Sequence, residues 1–588
     1  MSTPAFDEFG QVRRVLLRAD AMHPEFELLG IGMQNFQSIR EPQFVPFAPL
    51  TLLYGPNSAG KSSIADAMTL LTHCSELNTG TVHSMLEKWA NRHRKSLAST
   101  SGFVDDTSAT AIWAFLAASS DGVGDFIAGF ERAGELRQAM RNEPIALRLS
   151  MTPGEYGQFE YTSVAIWLGS EHPVPLLELT AKYHQTFGYD ENNNEYFEWE
   201  RRSSMRLNTS HPRCAELSQW LSIVTPFATQ ASVGQFARQL TDAAQTSIAL
   251  PVTWDEGLAG FTCTSDVSAA LRETLVPVLS SVLRLVSTDV AAANRLRVVA
   301  PIREVPSERE SSFVVLSLGA ADRGPRALRF NEATADTPKD PWEEIAESAC
   351  GRWSPETPRH LWGRSLLQEL EASDESVEPE LLTYVNNVFR QESLLGLDYE
   401  LVANRYTFHS AAGTVTSRSG RERAVEPKRK GDVVRLYLLD ELGAEVALED
   451  VGTGISQLVP ILVALRSMRS VIVHQPELHL HPRLQSSFGD VFVERMASRR
   501  HLLTLVESHS EHLLLRVLRR IRETGTDGLE CPPYCIRHDQ ISVLYFDREA
   551  GAPTRVVELR LGEDGNFLDR WPHGFFTERD DDLGLSNV

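Results

Sequence analysis

The sequence is poor in cysteine and lacks a long apolar run. Its 588 residues contain six cysteines, scattered along the chain, so we expect no disulfide framework and a reducing compartment. The best apolar run, Leu458–Leu465, has about eight residues, well below the roughly 20 that cross a bilayer. The first residues mix acidic with basic side chains, unlike a signal peptide. These absences predict a cytoplasmic protein with no membrane contact.

Positive charge is also in short supply. Lysine and arginine number 57 against 79 aspartates and glutamates, and the formal net charge of −22 argues against a surface that wraps nucleic acid on all sides. Two basic patches remain as candidate nucleic-acid contacts, one in residues 418–430 and one on a predicted helix in residues 516–522. Because no aromatic side chains are interleaved for stacking, solvated faces are the favoured alternative. The basic residues are Arg418, Arg421, Arg423, Lys428, Arg429, Lys430, Arg516, Arg519, Arg520 and Arg522.

What the sequence does contain is a phosphate-binding loop. Gly55–Ser62 reads Gly-Pro-Asn-Ser-Ala-Gly-Lys-Ser, follows the apolar run Leu50–Tyr54 and precedes a predicted helix. Glycines let backbone N–H groups converge on phosphate oxygens, Lys61 reaches the outer phosphates, and the Ser62 hydroxyl can bind Mg2+. A glycine-rich turn with a chance Lys-Ser pair is the weaker alternative. The predicted nucleotide-binding residues are Gly55, Pro56, Asn57, Ser58, Ala59, Gly60, Lys61, Ser62 and Ser63.

Three further motifs follow far downstream. Gly452–Gln457 is a glycine-rich turn that opens a predicted helix, Leu458–Met468. The predicted strand Ser470–Val473 leads into His-Gln-Pro-Glu-Leu-His-Leu-His-Pro, and the predicted strand Leu502–Val506 leads into Glu-Ser-His-Ser. Because ligands gather at the carboxyl ends of parallel strands, we expect these segments to form the site.

In this order, the four motifs resemble the ABC-type ATPase heads of the SMC, RecF and OLD (overcoming lysogenisation defect) group. The resemblance is closest to bacterial AAA-type ATPases, often associated with phage defence, whose C-terminal domain of unknown function ends in Trp-Pro-x-Gly-Phe-Phe, here Trp571–Phe576. It covers roughly Phe26–Leu71 and, patchily, Val298–Asp582, including Pro301–Arg303. It implies an α/β fold: an ABC-type P-loop ATPase head split by a large helical or mixed insertion, with a small C-terminal cap.

The resemblance also implies how the chain divides. Prolines are frequent and heptads are not sustained between the two halves of the head, so we expect a compact lobe rather than a coiled coil. Alternation between Arg148 and Trp199 suggests strands within it. The expected segments are 1–25 (N-terminal extension), 26–75 (N-terminal half of the head), 76–300 (inserted lobe), 301–434 (return to the head), 435–525 (C-terminal half of the head) and 526–588 (C-terminal cap).

For the site, the resemblance implies a role for each motif. The loop amides and Lys61 hold ATP, and Ser62 binds Mg2+. His509 matches a switch histidine that senses the γ-phosphate, and residues 477–480 match a loop that crosses a dimer interface. ATP would join two heads of a homodimer, or of a higher oligomer, through the signature turn of the second subunit. That turn would contact the γ-phosphate with Gly452, Thr453, Gly454 and Ser456.

One departure bears on catalysis. Where the group has an acidic residue that holds Mg2+ and then a catalytic glutamate, this sequence has His474 and Gln475. Neutral histidine is a poor ligand for Mg2+, and a missing carboxylate leaves the charge on the transferred phosphoryl group less well offset. We therefore expect ATP binding, with slow hydrolysis unless Glu477 or Glu507 substitutes. The candidate catalytic residues are Glu477, Glu507 and His509.

Two groupings leave metal binding open as an alternative. His479 and His481 are two residues apart at a strand end, with no cysteine nearby. Cys531 and Cys535, followed by His538, lack a fourth zinc ligand at useful spacing, so a structural loop is favoured there. The acidic stretch at residues 190–195 favours a solvated turn over a metal site.

The sequence therefore predicts an ATP-binding dimeric switch for phage defence or genome maintenance, one that controls a separate effector such as a nuclease. Too few residues follow His512 for the nuclease domain of OLD proteins. The biology comes from the resemblance alone. A RecF-like, DNA-stimulated ATPase of DNA repair is the first alternative, and a nucleotide-binding scaffold with negligible hydrolysis is the second.

Overall fold

The computed structural model divides into two compact units. The first comprises Met1–Leu296, Met496–His509 and Arg520–Val588, and the second comprises Arg297–Arg495 and Ser510–Arg519. Within them, the structure describes residues 28–72, 110–117, 133–140, 143–153, 159–169, 175–189, 195–224, 248–255, 260–263, 278–283, 285–286, 290, 296–299, 312–316, 371–372, 380–409, 413–416, 422–425, 429–448, 450–467, 470–498, 502–525, 535–549 and 552–574.

Strands dominate the described residues. In chain order they are β1 (Leu28–Gln34), β2 (Gln43–Pro46), β3 (Leu50–Tyr54), β4 (Thr110–Leu116), β5 (Ile145–Pro153), β6 (Phe159–Leu168), β7 (Leu177–Tyr189), β8 (Glu195–Leu207), β9 (Ile248–Asp255), β10 (Gly260–Cys263), β11 (Leu296–Val299), β12 (Ser312–Leu316), β13 (Glu371–Ala372), β14 (Glu400–His409), β15 (Gly413–Thr416), β16 (Glu422–Val425), β17 (Arg429–Leu439), β18 (Glu445–Val446), β19 (Ser470–His474), β20 (Leu503–Glu507), β21 (Ile541–Asp547) and β22 (Arg555–Leu559).

The α-helices are α1 (Ser63–Thr72), α2 (Ala133–Met140), α3 (Leu217–Val224), α4 (Glu380–Arg390), α5 (Thr453–Ser456), α6 (Leu458–Ser467), α7 (Pro482–Ser498) and α8 (Glu511–Gly525). Short 3-10 helices span Pro212–Glu216, His538–Gln540 and Pro572–Gly574. No described helix combines the length and the apolar character that crossing a membrane requires.

A nine-stranded sheet in the first unit has the order β10-β9-β8-β7-β6-β5-β4-β1-β2. Its neighbouring strands are antiparallel throughout. A buried cluster of aromatic and small side chains, which includes Trp113, Phe115 and Trp167, belongs to this sheet. The strands predicted between Arg148 and Trp199 are confirmed as β5 to β8. The described part of the inserted lobe is mixed, and strands outweigh helices in it.

A second set of strands in the first unit runs parallel. β3 lies between β20 and β21 and is parallel to both. All five residues of β3 are buried, which is the continuous apolar pattern of a central parallel strand. β21 and β22 form an antiparallel hairpin. The carboxyl ends of β3, β20 and β21 therefore meet at one edge of the sheet.

The second unit has its own antiparallel sheet. β17 pairs with β12 and β14, and β13 pairs with β14. Asn386 on α4 ties the helix to this sheet, because its side chain donates to Leu401 O at 2.9 Å and accepts from Leu401 N–H at 2.8 Å. β19 is buried along its whole length and leads through a tight turn into α7.

The predicted elements around the motifs are confirmed. β3 has its predicted bounds, β19 and β20 each end one residue later than predicted, and α6 ends one residue earlier. The α/β class of the head is confirmed, whereas the segment boundaries stay a prediction. Several predicted features lie outside the described residues: 190–194, 301–303, 531–534, 575–576 and the side chains of 418–430.

Candidate nucleotide-binding site

The phosphate loop joins β3 to α1 through a backbone that admits only glycine at two points. Gly55 and Gly60 have φ of +133° and +97°, a region that favours glycine. A Cβ at Gly55 would lie 2.5 Å from Phe546 O, and one at Gly60 would lie 2.0 Å from Ser38 Oγ. Ser58 between them also has a positive φ, +63°. The glycine spacing of the motif is therefore dictated by the packing and the turn of this loop.

Lys61 is folded back across the loop. Its Nζ donates to the carbonyl oxygens of Gly55 and Pro56, at 2.9 Å each, and lies 3.6 Å from Glu507 Oε1. Burial lowers the pKa of Lys61 from its ordinary value, and the Glu507 carboxylate opposes this by favouring the charged form. A cation held this way is available to phosphate oxygens, which bind ammonium groups strongly.

Glu507 reaches the loop because β20 runs parallel to β3. The register places Glu507 beside Leu53, two residues before the loop. Ser508 N–H donates to Leu53 O at 3.2 Å, so the two strands end together. The structure thus brings together two predicted site residues, Lys61 and Glu507, that are far apart in the sequence. His509 follows in the same segment and is half-buried.

A polar turn between β1 and β2 supports the start of α1 and was missed by the sequence-based prediction. Ser63 Oγ donates to Gln37 Oε1, and Gln37 Nε2 donates to Asp66. Asn35 and Gln37 have φ of +48° and +54°, around a bridge between Phe36 and Ile39. The phosphate-loop motif does not extend to Gln37. Its only signal in the sequence is a few polar residues within an otherwise apolar segment, and that signal is weak.

In the second unit, the signature turn packs against the segment that follows β19. A Cβ at Gly454 would lie 2.5 Å from His479 O, so this glycine is needed for packing within one chain. At Gly452, by contrast, a Cβ would meet no atom of the described chain within 4 Å. Ser456, the last residue of α5, is buried. Of the two glycines in the signature turn, Gly452 is the one with open space beside it.

The end of β19 carries a histidine where the resemblance leads one to expect a carboxylate. His474 is 8% exposed. Gln475 and His479 have φ of +45° and +63°, and Leu480 N–H donates to Glu477 O at 3.0 Å, so a compact turn follows the strand. Glu477 lies on this turn and is half-buried.

The histidines of this turn are not arranged as a metal site. His481 Nδ1 accepts from Arg483 N–H at 3.3 Å, and its carbonyl accepts from Leu484 N–H at 2.8 Å, so His481 caps the start of α7 ahead of Pro482. His479 is exposed. Over the described ranges, no group of three or more His, Cys, Asp or Glu side chains is placed to hold a metal ion.

Cys535 is disulfide-bonded. Zinc binds thiolates, and a disulfide sulfur is not one. A structural loop is therefore favoured over a zinc site, although Cys531 lies outside the described residues. Cys214 is free, and burial raises its pKa to about 11, so its thiol stays protonated at neutral pH.

The arginines of α8 are engaged within the protein. Arg516 NH1 donates to Asp490 Oδ2 at 2.7 Å, and Arg520 NH1 donates to Glu523 Oε2 at 2.8 Å. Arg522 Nε donates to a backbone carbonyl at 3.1 Å. Because these guanidinium groups already have partners, the structure favours a solvated, internally paired helix face over a nucleic-acid contact.

Sequence models of three families match separate parts of the chain. "AAA domain" matches residues 31–81, "AAA domain, putative AbiEii toxin, Type IV TA system" matches residues 322–516, and "Protein of unknown function (DUF3696)" matches residues 536–584. No curated protein matches the chain.

The chain is also similar to solved structures of SMC heads. A head domain with an extended coiled coil from Pyrococcus furiosus, bound to the C-terminal domain of ScpA, has 10% identity and a TM-score of 0.33, covering 91% of this chain and 96% of that chain. The head domain from Thermotoga maritima has 7% identity and a TM-score of 0.26, covering 91% and 100%. A head domain with a coiled coil and joint from Pyrococcus yayanosii has 9% identity and a TM-score of 0.31, covering 90% and 97%.

The assignment rests on sequence and geometry rather than on these low scores. One AAA match covers the phosphate loop, and the other covers the signature turn and the strands β19 and β20. The phosphate loop and β20 belong to the parallel strands and the loop described above. Two separate parts of the chain are therefore similar to AAA domains, and its C-terminal part matches a family of unknown function, DUF3696.

Proposed function

We propose that the protein binds Mg2+–ATP at Gly55–Ser62 and that ATP joins two heads into a dimer, which acts as a switch on a separate effector in phage defence or genome maintenance. The observation that carries ATP binding is the buried Lys61 ammonium held inside a strand–loop–helix turn. The match to an AbiEii-type AAA domain supports the defence setting.

The residues around the loop fit a Mg2+-bound nucleotide. Lys61 exchanges its two carbonyl contacts for oxygens of the outer phosphates. The exposed Ser62 hydroxyl and the Glu507 carboxylate offer oxygen atoms, the ligand type that Mg2+ prefers. Mg2+, when bound, offsets negative charge on the phosphates.

Slow turnover follows from the end of β19. His474 stands where the resemblance implies a carboxylate, and the Glu507 carboxylate is already paired with Lys61. A weakly assembled metal site prolongs the ATP-bound state, which suits a switch. A scaffold with negligible hydrolysis is the second candidate function, and the same histidine favours it.

The decisive experiment measures nucleotide binding and ATP-dependent dimerisation. Wild type, Lys61→Ala and the control Arg390→Ala, which removes an exposed arginine, are titrated with a fluorescent ATP analogue and followed by light scattering. We expect wild type and the control to bind and to double in mass with ATP, whereas Lys61→Ala does neither. Equal nucleotide affinity in wild type and Lys61→Ala would refute the proposed site. Added DNA that raises turnover many-fold would favour the repair ATPase instead.

A further inference from the structure

The DUF3696 segment, residues 536–584, has no assigned role, yet its described residues touch the phosphate loop and the end of β3 at three points. Phe546 O lies against Gly55, Arg548 NH1 donates to Ser58 O, and the Trp571 ring packs edge-on against Tyr54 with centroids 5.6 Å apart. We propose that this segment contributes to nucleotide binding. Arg548 is a positioning residue that keeps the phosphate loop in the conformation that binds nucleotide. The inference rests on the proposed nucleotide binding.

The contact from Arg548 acts on Ser58, a loop residue that has a side chain and a left-handed backbone conformation. Ser58 has φ of +63°, a conformation that residues with a side chain rarely adopt without outside support. A charged donor on its carbonyl fixes the orientation of the following peptide unit. In a trans peptide the N–H points opposite to the C=O, so fixing one fixes the other. Arg548 thus sets the direction of a loop amide from outside the phosphate cradle.

The surrounding contacts hold Arg548 in place. It lies in the turn after β21, and β21 pairs in parallel with β3, so the turn and the loop leave the sheet side by side. His573 Nε2 is 2.9 Å from Asp547 Oδ1, which ties the chain after Trp571 to the residue before Arg548. Trp571 also packs against Tyr545, with ring centroids 6.1 Å apart. One aromatic ring therefore rests on the ends of β3 and β21 together.

These contacts predict an effect on affinity that is indirect and shared by ATP and ADP. The loop cradles phosphates that both nucleotides carry, so a loosened loop weakens both by the same factor. A direct contact from Arg548 to the γ-phosphate would weaken ATP alone. Because Arg548 is exposed, replacing it should leave folding intact.

The test compares wild type, Arg548→Met, Arg548→Lys and the matched control Arg555→Met, an exposed arginine of the same hairpin. Affinities for fluorescent ATP and ADP analogues and the nucleotide-free unfolding temperature are measured for each. We expect Arg548→Met to lose about tenfold in affinity for both nucleotides. Arg548→Lys, which keeps a charged donor, should recover most of the loss. Arg555→Met should match wild type, and the four unfolding temperatures should agree.

Wild-type affinity in Arg548→Met, or a loss confined to ATP, would overturn the positioning role. A loss in Arg548→Met that is accompanied by a matching fall in unfolding temperature and is not rescued by lysine would also overturn it. Lys61→Ala, assayed alongside, distinguishes a failure of the Arg548 inference from a failure of the proposed nucleotide site. If Lys61→Ala abolishes binding while Arg548→Met does not weaken it, the nucleotide site stands and the inference fails. If Lys61→Ala binds normally, the proposed function itself fails.

Discussion

Lys61 and Glu507 form a buried ion pair across two neighbouring strand ends, with Nζ and Oε1 3.6 Å apart and side chains 3% and 13% exposed. The ammonium expected to meet phosphates is therefore held, without nucleotide, by a carboxylate and two loop carbonyls. Nucleotide binding has to compete with these partners, which makes the affinity sensitive to the charge of both residues.

The first prediction concerns pH. Burial lowers the pKa of Lys61 below 10.5, so the free protein loses this positive charge earlier than an exposed lysine as pH rises. ATP affinity should therefore begin to fall at a lower pH than expected for a lysine of ordinary pKa, 10.5. Glu507 favours the charged form, so in Glu507→Gln the pKa is lower still and the fall should begin at a lower pH. Nucleotide titrations at increasing pH measure the fall in affinity for wild type and for Glu507→Gln. A fall that moves to higher pH in Glu507→Gln would contradict this assignment.

The second prediction concerns the dimer. Gly452→Arg should leave the monomer and its ATP affinity unchanged, because a Cβ at this exposed position meets no atom of the described residues within 4 Å. It should abolish ATP-dependent pairing, since in the proposed dimer the signature turn approaches a phosphate of the other subunit closely. Light scattering with and without ATP decides this. Normal pairing of Gly452→Arg would remove the composite-site proposal.

Gly454 serves as the contrasting position. A Cβ there would lie 2.5 Å from His479 O, so Gly454→Ala should disturb the turn within one chain and destabilise it by about 1–3 kcal/mol. A larger change such as Gly454→Arg therefore does not isolate the dimer contact.

The third prediction concerns turnover. His474→Glu places a carboxylate at the end of β19 and should raise single-turnover hydrolysis by roughly 10- to 100-fold, the size of effect typical of a metal-site contact. Glu507→Gln should abolish residual turnover if Glu507 serves in place of the missing acid, and Glu477→Gln should do so if Glu477 serves. The unfolding temperature of each variant is the control for folding. A fast wild type that is insensitive to all three changes would mean that the catalytic carboxylate lies elsewhere.

The fourth prediction concerns the stability of the inserted lobe. Arg213 is 5% exposed, donates to Ala139 O and Met140 O at the end of α2, and pairs with Glu216 at 2.8 Å. Arg213→Ala leaves these acceptors without a partner and should destabilise the lobe by about 2–4 kcal/mol, a fall in unfolding midpoint on the order of 5 °C.

Arg206→Ala is the matched control for this effect. Its guanidinium is 58% exposed and lies 4.0 Å from Glu178, an arrangement that contributes little to stability. Equal unfolding temperatures for Arg213→Ala and Arg206→Ala in a thermal scan would show that the Arg213 contacts do not stabilise the lobe.

The parts of the site encoded by short contiguous segments were predictable, and those formed by distant contacts were not. The loop from Gly55 to Ser62 follows from its own residues, and Glu507 was a candidate because it ends an apolar strand. Gln37 contacts the start of α1 and Arg548 contacts the loop, both only through the fold, and neither stands in a motif. His481 looked like a metal ligand because a capping histidine and a coordinating one have the same sequence signature.

The sandwiching of β3 between β20 and β21 has a consequence for biosynthesis. Ser58 and Arg548 are 490 residues apart, and at about 5–20 residues per second a ribosome needs roughly 25 to 100 s to cover that interval. For most of this time neither flanking strand exists, and until β21 is made the apolar residues of β3 lack part of the sheet that buries them. A nascent chain therefore cannot present a finished phosphate loop, which confines nucleotide binding to chains whose β21 has left the ribosome.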